Sequence, residues 1–187
     1  MILRPVRQSL IALAGLAALS APAAAQQAGQ VSADYAVTFL GLTIGRGQMV
    51  STTDGTSYST TLNARVTGVA AVFAGGSGTA TAEGRLQGGR PVPSSYRLEV
   101  RSGGKVETVR ITMAGGNVAS TERDPDKPPH PRATPVLPEH LRGVLDPLAA
   151  GIFVAPGNGP VTGAAACDRR SRIYTGHQRF DLIYSFV

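Results

Sequence analysis

The sequence predicts a mainly β fold, either a single strongly curved antiparallel sheet or a partly open barrel, with one or two short helices after a proline-rich crossing. Apolar and polar residues alternate with a period of two in several segments, which is typical of strands that bury one face. Glycine (23 residues) and proline (13 residues) are abundant, and they favour short strands and turns over long helices. The Gly103-Gly104 pair separates two alternating segments, as the turn of a β-hairpin does.

The first 25 residues have the three parts of a secretory signal peptide. Arg4 and Arg7 precede a short apolar run, and three alanines that end at Ala25 form the small-residue site that a signal peptidase cuts. The apolar run is about half of the ~20 residues that cross a bilayer, so we expect no permanent anchor. The predicted organisation is a signal peptide at residues 1–25 and a single β-rich domain at residues 26–187, soluble after cleavage.

The basic residues do not indicate a nucleic-acid surface. Without Arg4 and Arg7, the formal net charge of +6 falls to +4. Nucleic-acid-binding domains gather basic residues into one patch with interleaved aromatics, whereas here most of them are scattered. This pattern favours an ordinary solvated surface and no nucleic-acid partner. An anionic partner, such as a lipid headgroup, is the alternative.

The first half of the domain contains most of the alternating segments. Alternating apolar residues predict a first strand: Tyr35, Val37 and Phe39. The glycines that follow predict a bend or bulge before a second strand at residues 48–52: Gly41, Gly45 and Gly47. Two further strands begin near residues 57 and 79. The glycine-rich stretch at residues 74–78 predicts a flexible turn between them, and it lacks the Lys-Ser/Thr of a phosphate-binding loop.

The Gly103-Gly104 pair predicts the best-defined element, because a two-residue Gly-Gly turn suits the hairpin turns that require positive φ angles. A hairpin with this turn pairs apolar residues on one face of its strands: Leu98 with Val109 and Tyr96 with Ile111. The turn and the apolar pattern therefore predict the same register.

Prolines are frequent between residues 124 and 138, and they exclude regular secondary structure there. We expect a surface crossing or lid there, followed by a short helical passage at residues 138–144. Asp146-Pro147 then predicts a helix cap with proline in the first turn, ahead of a second helical segment at residues 148–153.

A last hairpin is predicted around Gly176-His177. Its register forms one apolar pair and one pair of opposite charge: Ile173 with Phe180, and Arg172 with Asp181. Asp181 is therefore expected to form an ion pair rather than to transfer protons. The alternating pattern continues to Val187 without a turn or a polar tail, so we expect the domain to be truncated at its C-terminus.

Several short motifs occur together in the order found in one family. They lie at residues 35–45, Glu83-Gly84, residues 93–96, residues 144–148, Cys167 and residues 174–182. In these motifs the chain resembles the bacterial envelope family catalogued as domain of unknown function 3108. The resemblance implies an exported protein of the Gram-negative periplasm with a strongly curved antiparallel sheet and no established activity. Thr175, His177 and Gln178 differ from the charged residues of the family's last motif, so no charge-based role is expected of them.

Cys167 is the only cysteine in the chain. A single thiol in an oxidising compartment indicates a missing partner or a reactive site. His177 is close in sequence but lies in the predicted turn, and no third group accompanies the two residues as a nucleophile would require. We therefore predict that Cys167 is half of a structural disulfide whose partner lies beyond Val187. The resemblance implies the same, since family members commonly have a second cysteine further on.

No other residues have the spacing of a catalytic or metal site. The three histidines lack the close spacing of zinc ligands: His130, His140 and His177. Asp146 is expected to cap a helix rather than to act as a general acid. The sequence therefore predicts no catalytic residue, no metal and no cofactor. Structural roles are predicted for Gly41, Gly45, Gly103, Gly104, Asp146, Pro147, Cys167, Arg172, Gly176 and Asp181.

Three classes of function remain. The leading prediction is a non-catalytic exported envelope protein that binds a partner or supports the envelope. The alternative is a periplasmic carrier or sensor that holds a lipid-like apolar ligand in the hollow of the sheet, with the proline-rich crossing over its mouth. This alternative requires a continuous apolar cavity of roughly 300–1,000 Å³. The third class is an enzyme of unknown reaction, which would need titratable groups that converge in a cleft.

Overall fold

The structure is a computed structural model that describes residues 28–128, 133–152 and 169–185. This part of the chain is mainly β, with a seven-stranded antiparallel sheet, a two-stranded antiparallel sheet and a few short helices. The predicted mainly β, antiparallel fold class is therefore confirmed. The predicted signal peptide and Cys167 lie outside the described residues. Within the described ranges, no helix is long and apolar enough to span a bilayer.

The seven-stranded sheet is a meander, because each strand pairs antiparallel with the next strand in the chain. Its strands are β1 (Gly29–Phe39), β2 (Leu42–Thr53), β3 (Ser57–Val66), β4 (Gly76–Gln87), β5 (Arg90–Ser102), β6 (Lys105–Ala114) and β7 (Asn117–Asp124). The two edge strands, β1 and β7, do not pair with each other. The sheet is therefore open rather than closed into a barrel.

The β5–β6 hairpin has the predicted turn and register. Gly103 and Gly104 have φ angles of 56° and 75°, which residues without a side chain adopt readily. The Cα partners are those expected from the apolar pattern: Leu98 with Val109 and Tyr96 with Ile111. Three of these four side chains are buried, and Leu98 packs against them as a partly buried residue.

The second strand is longer than predicted. β2 begins at Leu42, directly after a tight turn, so Gly45 and Gly47 lie inside the strand and not in a bend before it. The predicted bulge is present as a register shift between Val37 and Thr38 of β1. Glycine has a low strand propensity, which is why the pattern predicted a later start. Pairing with β1 on one side and β3 on the other keeps this segment extended.

The glycine-rich stretch at residues 74–78 is not the turn that the sequence predicted. A short helix, α1 (Val69–Ala74), connects β3 to β4, and β4 already begins at Gly76. Alanine has the highest helix propensity, and three of the six residues of α1 are alanine. The helix follows Gly68, whose φ of 64° turns the chain out of the sheet.

After β7 the chain returns across the sheet. Two 3₁₀ helices, Pro138–Leu141 and Ala149–Gly151, stand where short helical segments were predicted, and both are shorter than expected. The strands β8 (Arg169–Tyr174) and β9 (Arg179–Tyr184) then form the last hairpin. Its register is the predicted one: Ile173 with Phe180 and Arg172 with Asp181.

Residues 144–150 form a covering segment that we call the C-terminal segment. Together with the β8–β9 hairpin, it covers one half of the apolar face of the large sheet. A parallel bridge joins Leu145 to Ile173, and the Tyr174 N–H donates to the Leu145 carbonyl at 2.9 Å. The Val144 N–H donates to the Gly116 carbonyl at 3.0 Å, which attaches the segment to the β6–β7 turn. The buried side chains between the two layers form the core: Tyr58, Ala80, Ala82, Tyr96, Val109, Ile111, Met113, Val144, Leu148, Ala149 and Tyr174.

Candidate ligand-binding site

The other half of the apolar face, on β1–β5, carries a hollow of about 780 Å³. Fourteen of the nineteen described residues that line this hollow are apolar or glycine, and the other five are arginine or serine. The apolar residues and glycines are Tyr35, Val37, Ile44, Gly45, Gly47, Met49, Leu62, Ala64, Val66, Gly76, Gly78, Ala80, Leu98 and Val100. The apolar face of the sheet is thus filled at one end by the C-terminal segment and hollow at the other.

One row of residues across the sheet explains the shape of the hollow. In register from β1 to β5, the row consists of Tyr35, Gly47, Ala64, Gly78 and Val100. Residues that are directly opposite on neighbouring strands point to the same face. Large side chains therefore stand at both ends of the row, while the three middle positions carry at most a methyl group. The result is a trough with a floor of backbone and apolar walls.

A second row of larger side chains separates the hollow from the core. Met49 of β2 is opposite Leu62 of β3, and both line the hollow. Leu62 and Leu98 also pack against the buried core. The same apolar surface is therefore continuous from the covered half of the sheet into the hollow.

Large apolar side chains at the wall of the hollow are exposed. Tyr35 is 49% exposed, Val37 is 55% exposed and Val100 is 37% exposed. A large contiguous apolar surface that is exposed to solvent is typical of a binding site. Ile44, the extra residue at the β1–β2 bulge, adds to the same wall.

A polar cleft of about 650 Å³ lies on the opposite face of the same strands. Its polar side chains belong to rows that alternate with those of the hollow: Asp34, Arg46, Gln48, Asn63, Arg65, Ser77 and Thr79. The Thr79 hydroxyl donates to Asn63 Oδ1 at 2.9 Å. Because the sheet is one layer thick, several residues border both the cleft and the hollow: Tyr35, Arg46, Gly47, Ala64, Arg65, Ser77 and Gly78. Arg46 and Arg65 are the two charged residues among them.

The described part of the proline-rich crossing lies elsewhere. Residues 133–136 border a separate cleft of about 470 Å³, together with His140, Gln178 and Arg179. None of the described residues of the crossing lines the hollow. The predicted lid over the mouth of the hollow is therefore not formed by the described residues of the crossing.

Asp146 is fully buried beneath the C-terminal segment. Its Oδ1 accepts the N–H groups of Leu148 and Ala149, each at 2.9 Å, at the start of the second 3₁₀ helix, and Pro147 lies between. Within the described residues, Asp146 Oδ2 has no hydrogen-bond partner. Burial raises the pKa of Asp146 to about 6, although the two N–H groups act in the opposite direction.

Two tyrosines of the sheet are influenced by this carboxyl group. Burial raises the pKa of Tyr96 to about 12, and the charge of Asp146 contributes to the same shift. The pKa of Tyr58 is also raised, by burial first and by Asp146 second. These groups lie in the covered half of the sheet, where Asp146 organises the backbone of the C-terminal segment.

The predicted structural glycines occupy three turns and the hollow. Gly41 lies in the β1–β2 turn with a φ of 79°, and Gly176 lies in the β8–β9 turn with a φ of 92°. Gly103 and Gly104 form the β5–β6 turn. Gly45 lines the hollow.

Asp181 does not form the ion pair that its register suggests. It is opposite Arg172 across the hairpin, but its carboxylate contacts Arg170, with Nε at 2.8 Å, and Arg179 at 2.8 Å. Long arginine side chains reach along or diagonally across a hairpin, so the direct partner in register is not always the partner in space. The hydrogen bond from Arg170 is the main cause of the lowered pKa of Asp181.

The histidines are not brought together. His140 Nδ1 accepts the Leu137 N–H at 3.2 Å, and His177 lies in the β8–β9 turn. His130 and Cys167 lie outside the described residues. In the part of the chain that the structure describes, no group of three or more potential metal ligands occurs.

The sequence predicted an apolar ligand in the hollow of the sheet as an alternative function, without any ligand-binding residue. The available signal was a spacing of two between small residues on neighbouring strands: Gly45 and Gly47 in β2, and Gly76 and Gly78 in β4. Such residues place a flat floor on one face of the sheet.

The chain matches a known protein family over most of its length. The family described as protein of unknown function (DUF3108) matches residues 34–187, which include all of the hollow and the whole covered half of the sheet. No curated protein and no solved structure gives a significant match.

Proposed function

The chain belongs to the DUF3108 family of proteins of unknown function, and from this premise we propose that it is a non-catalytic envelope protein that carries or senses a lipid-like apolar molecule in the hollow of β1–β5. The observation that carries this proposal is the apolar trough of about 780 Å³. Its volume lies within the range of roughly 300–1,000 Å³ that is typical of small-molecule sites.

The energetics of the hollow support an acyl chain as its occupant. Each CH₂ group that leaves water contributes about 0.8 kcal/mol. The floor residues Gly47, Ala64 and Gly78 let an extended chain approach the backbone closely, and the side chains of Tyr35 and Val100 contact it from both sides. The lining supplies mainly apolar contact, and its described residues include no carboxylate or histidine that could act as a general base and no thiol nucleophile.

The amino-terminal sequence supports an envelope location. Residues 1–25 have the pattern of a secretory signal peptide, and export would release the β-domain into the periplasm. Lipid-like molecules need a carrier in such an aqueous compartment because their chains are poorly soluble in water. We propose the periplasm as the site of action on this basis.

A partner protein is the second candidate, and a different surface supports it. The β1–β2 turn exposes large apolar side chains next to the hollow: Phe39 at 64%, Leu40 at 86% and Leu42 at 57%. An exposed apolar tip on an edge hairpin is typical of a surface that another protein covers. A Leu40→Ser variant that loses a partner but still binds the apolar probe below would separate the two functions.

We predict that filling the floor of the hollow abolishes ligand binding. Ala64→Phe places an aromatic ring in the trough, so the affinity for the neutral probe N-phenyl-1-naphthylamine should fall at least about tenfold. Fluorescence titration of the full chain measures this affinity, and monoacylglycerol should displace the probe from the unmodified protein. Ala114→Phe is the matched control, because Ala114 is exposed at the end of β6 and does not line the hollow.

The control should bind within about twofold of the unmodified protein. Native mass spectrometry of the protein from periplasmic extract should also detect a co-purified lipid. The proposal fails if the unmodified chain neither binds the probe nor retains lipid. It also fails if Ala64→Phe binds as well as the Ala114→Phe control.

A further inference from the structure

We infer that the ligand is an anionic amphiphile, whose acyl chain lies in the hollow and whose acidic head is bound by Arg46 and Arg65. This inference rests on the proposed function and adds the chemical class of the ligand. It follows from the position of the two arginines at the meeting point of an apolar trough and a polar cleft.

The two arginines are direct neighbours across the sheet. Arg46 of β2 is opposite Arg65 of β3, and Ser77 of β4 and Arg101 of β5 continue the same row. Arg65 and Arg101 are each one residue from the end of their strands, at an end of the sheet where Val66 and Ser102 also line the hollow. Arg46, Arg65 and Arg101 all border the hollow.

The positive charges of Arg46 and Arg65 repel each other, and a bound anion would remove this repulsion. Like charges directly opposite each other on neighbouring strands destabilise a sheet. Arg101 has a partner, since Glu99 lies 2.7 Å from it. Within the described residues, neither Arg46 nor Arg65 forms an ion pair with a carboxylate. The one acidic side chain of the cleft is Asp34, which is in register with Gln48, in the row next to the arginines.

The cleft also supplies the other groups that an acidic head needs. The guanidinium of arginine presents a planar fork of donors that matches the oxygens of a carboxylate or a phosphate. Gln48, Asn63 and Ser77 line the same cleft and can donate further hydrogen bonds. A ligand that crosses from the hollow to the cleft therefore passes from apolar contact directly to cationic and polar contact.

Competition with three lipids of the same acyl chain tests the inference. A fatty acid carries a carboxylate, lysophosphatidic acid carries a phosphate, and monoacylglycerol is neutral. We expect the unmodified protein to bind at least one of the two anionic lipids about tenfold more tightly than the neutral lipid. This preference should weaken as salt rises from 0.05 M to about 0.5 M. Inorganic phosphate alone distinguishes a free anion from a lipid head, and it should not displace the probe at millimolar concentration.

The double variant Arg46→Gln/Arg65→Gln should bind the neutral lipid normally and lose the preference for anionic lipids. Arg85→Gln/Arg90→Gln is the matched control, because it removes the same charge from exposed residues outside the hollow and the cleft. Thermal unfolding of both variants checks that they fold. The inference is overturned if the unmodified protein binds all three lipids equally or if the Arg46/Arg65 variant keeps the preference. Either result leaves neutral-lipid binding intact, whereas failure of the proposed function removes binding of all three lipids.

Discussion

Replacing Gly84 with alanine is expected to lower the free energy of unfolding by about 3 kcal/mol or more. Gly84 is buried in β4 at a register shift, and the ring of Tyr58 lies directly against it. A Cβ atom at this position would be 2.5 Å from the Val92 carbonyl oxygen and 2.7 Å from Cε1 and Oη of Tyr58. Neither neighbour can give way cheaply, because one is backbone of the adjacent strand and the other is a core side chain.

Gly78→Ala in the same strand is the matched control. Its Cβ would lie 3.5 Å from the Glu99 carbonyl oxygen and 3.8 Å from Val100, which are ordinary contacts. Urea unfolding should therefore separate the two variants by about 3 kcal/mol. Tyr58→Leu should rescue part of the loss in the Gly84→Ala background, so the two substitutions should be non-additive. Equal stability of the Gly84→Ala and Gly78→Ala proteins would contradict this account of the contact.

Replacing Asp146 with asparagine is expected to change how stability depends on pH. Burial raises the pKa of Asp146 from its ordinary value of 3.8 to about 6 in the folded protein. Between about pH 4 and pH 6, the unfolded chain has therefore lost the proton that the folded protein still holds. Unfolding releases a proton in this window, so the group's contribution to stability falls as pH rises. Below the window both states are protonated, and above it both are ionised.

The expected size of the effect is on the order of 3 kcal/mol, from a pKa difference of about two units. Asparagine keeps an oxygen that accepts the Leu148 and Ala149 N–H groups but carries no charge at any pH. The difference in unfolding free energy between the Asp146→Asn variant and the unmodified protein should shift by this amount in favour of the variant from pH 4 to pH 8. Urea unfolding at several pH values measures it.

Asp54→Asn supplies a control whose pH dependence lies outside this window. Asp54 is exposed, and hydrogen bonds from Ser57 and Thr56 hold its pKa well below the usual range. Its contribution is present above the ordinary pKa of 3.8 and is lost as pH falls below that value, so the difference between Asp54→Asn and the unmodified protein should be nearly constant from pH 4 to pH 8. A difference between Asp146→Asn and the unmodified protein that does not vary between pH 4 and pH 8 would refute the assignment of Asp146 as a buried group with a raised pKa.

The strands and hairpin registers could be predicted because they depend on local sequence. At Gly103-Gly104, two consecutive positive φ angles fix the turn, and the turn fixes which residues of β5 and β6 are opposite. In the last hairpin the turn contains one positive φ, 92° at Gly176, and the predicted β8–β9 register is also correct. The predicted partner of Asp181, Arg172, was wrong, since the reach of a long side chain is not set by register.

The division of the apolar face could not be predicted. Alternation shows which side of a strand is apolar, but it does not show what covers that side. The covering segment is brought back to Tyr58 and Tyr96 only after seven strands and a proline-rich crossing, and this contact depends on the whole topology. For the same reason, a hollow in the curved sheet was predicted as an alternative. The residues that form its floor, Gly47, Ala64 and Gly78, were not predicted.

The meander also determines the order in which the protein assembles. Each strand from β1 to β7 pairs with its neighbour in the chain, so the sheet has a low contact order for an all-β protein and can grow one hairpin at a time. The contacts that residues 144–150 and Tyr174 make with the sheet join parts that are far apart along the chain and close large loops. We expect this segment to dock last, and until it does, Tyr58, Tyr96 and Ile111 face water on a preformed sheet. A newly synthesised chain is therefore most prone to aggregate in the interval before its C-terminal third has docked.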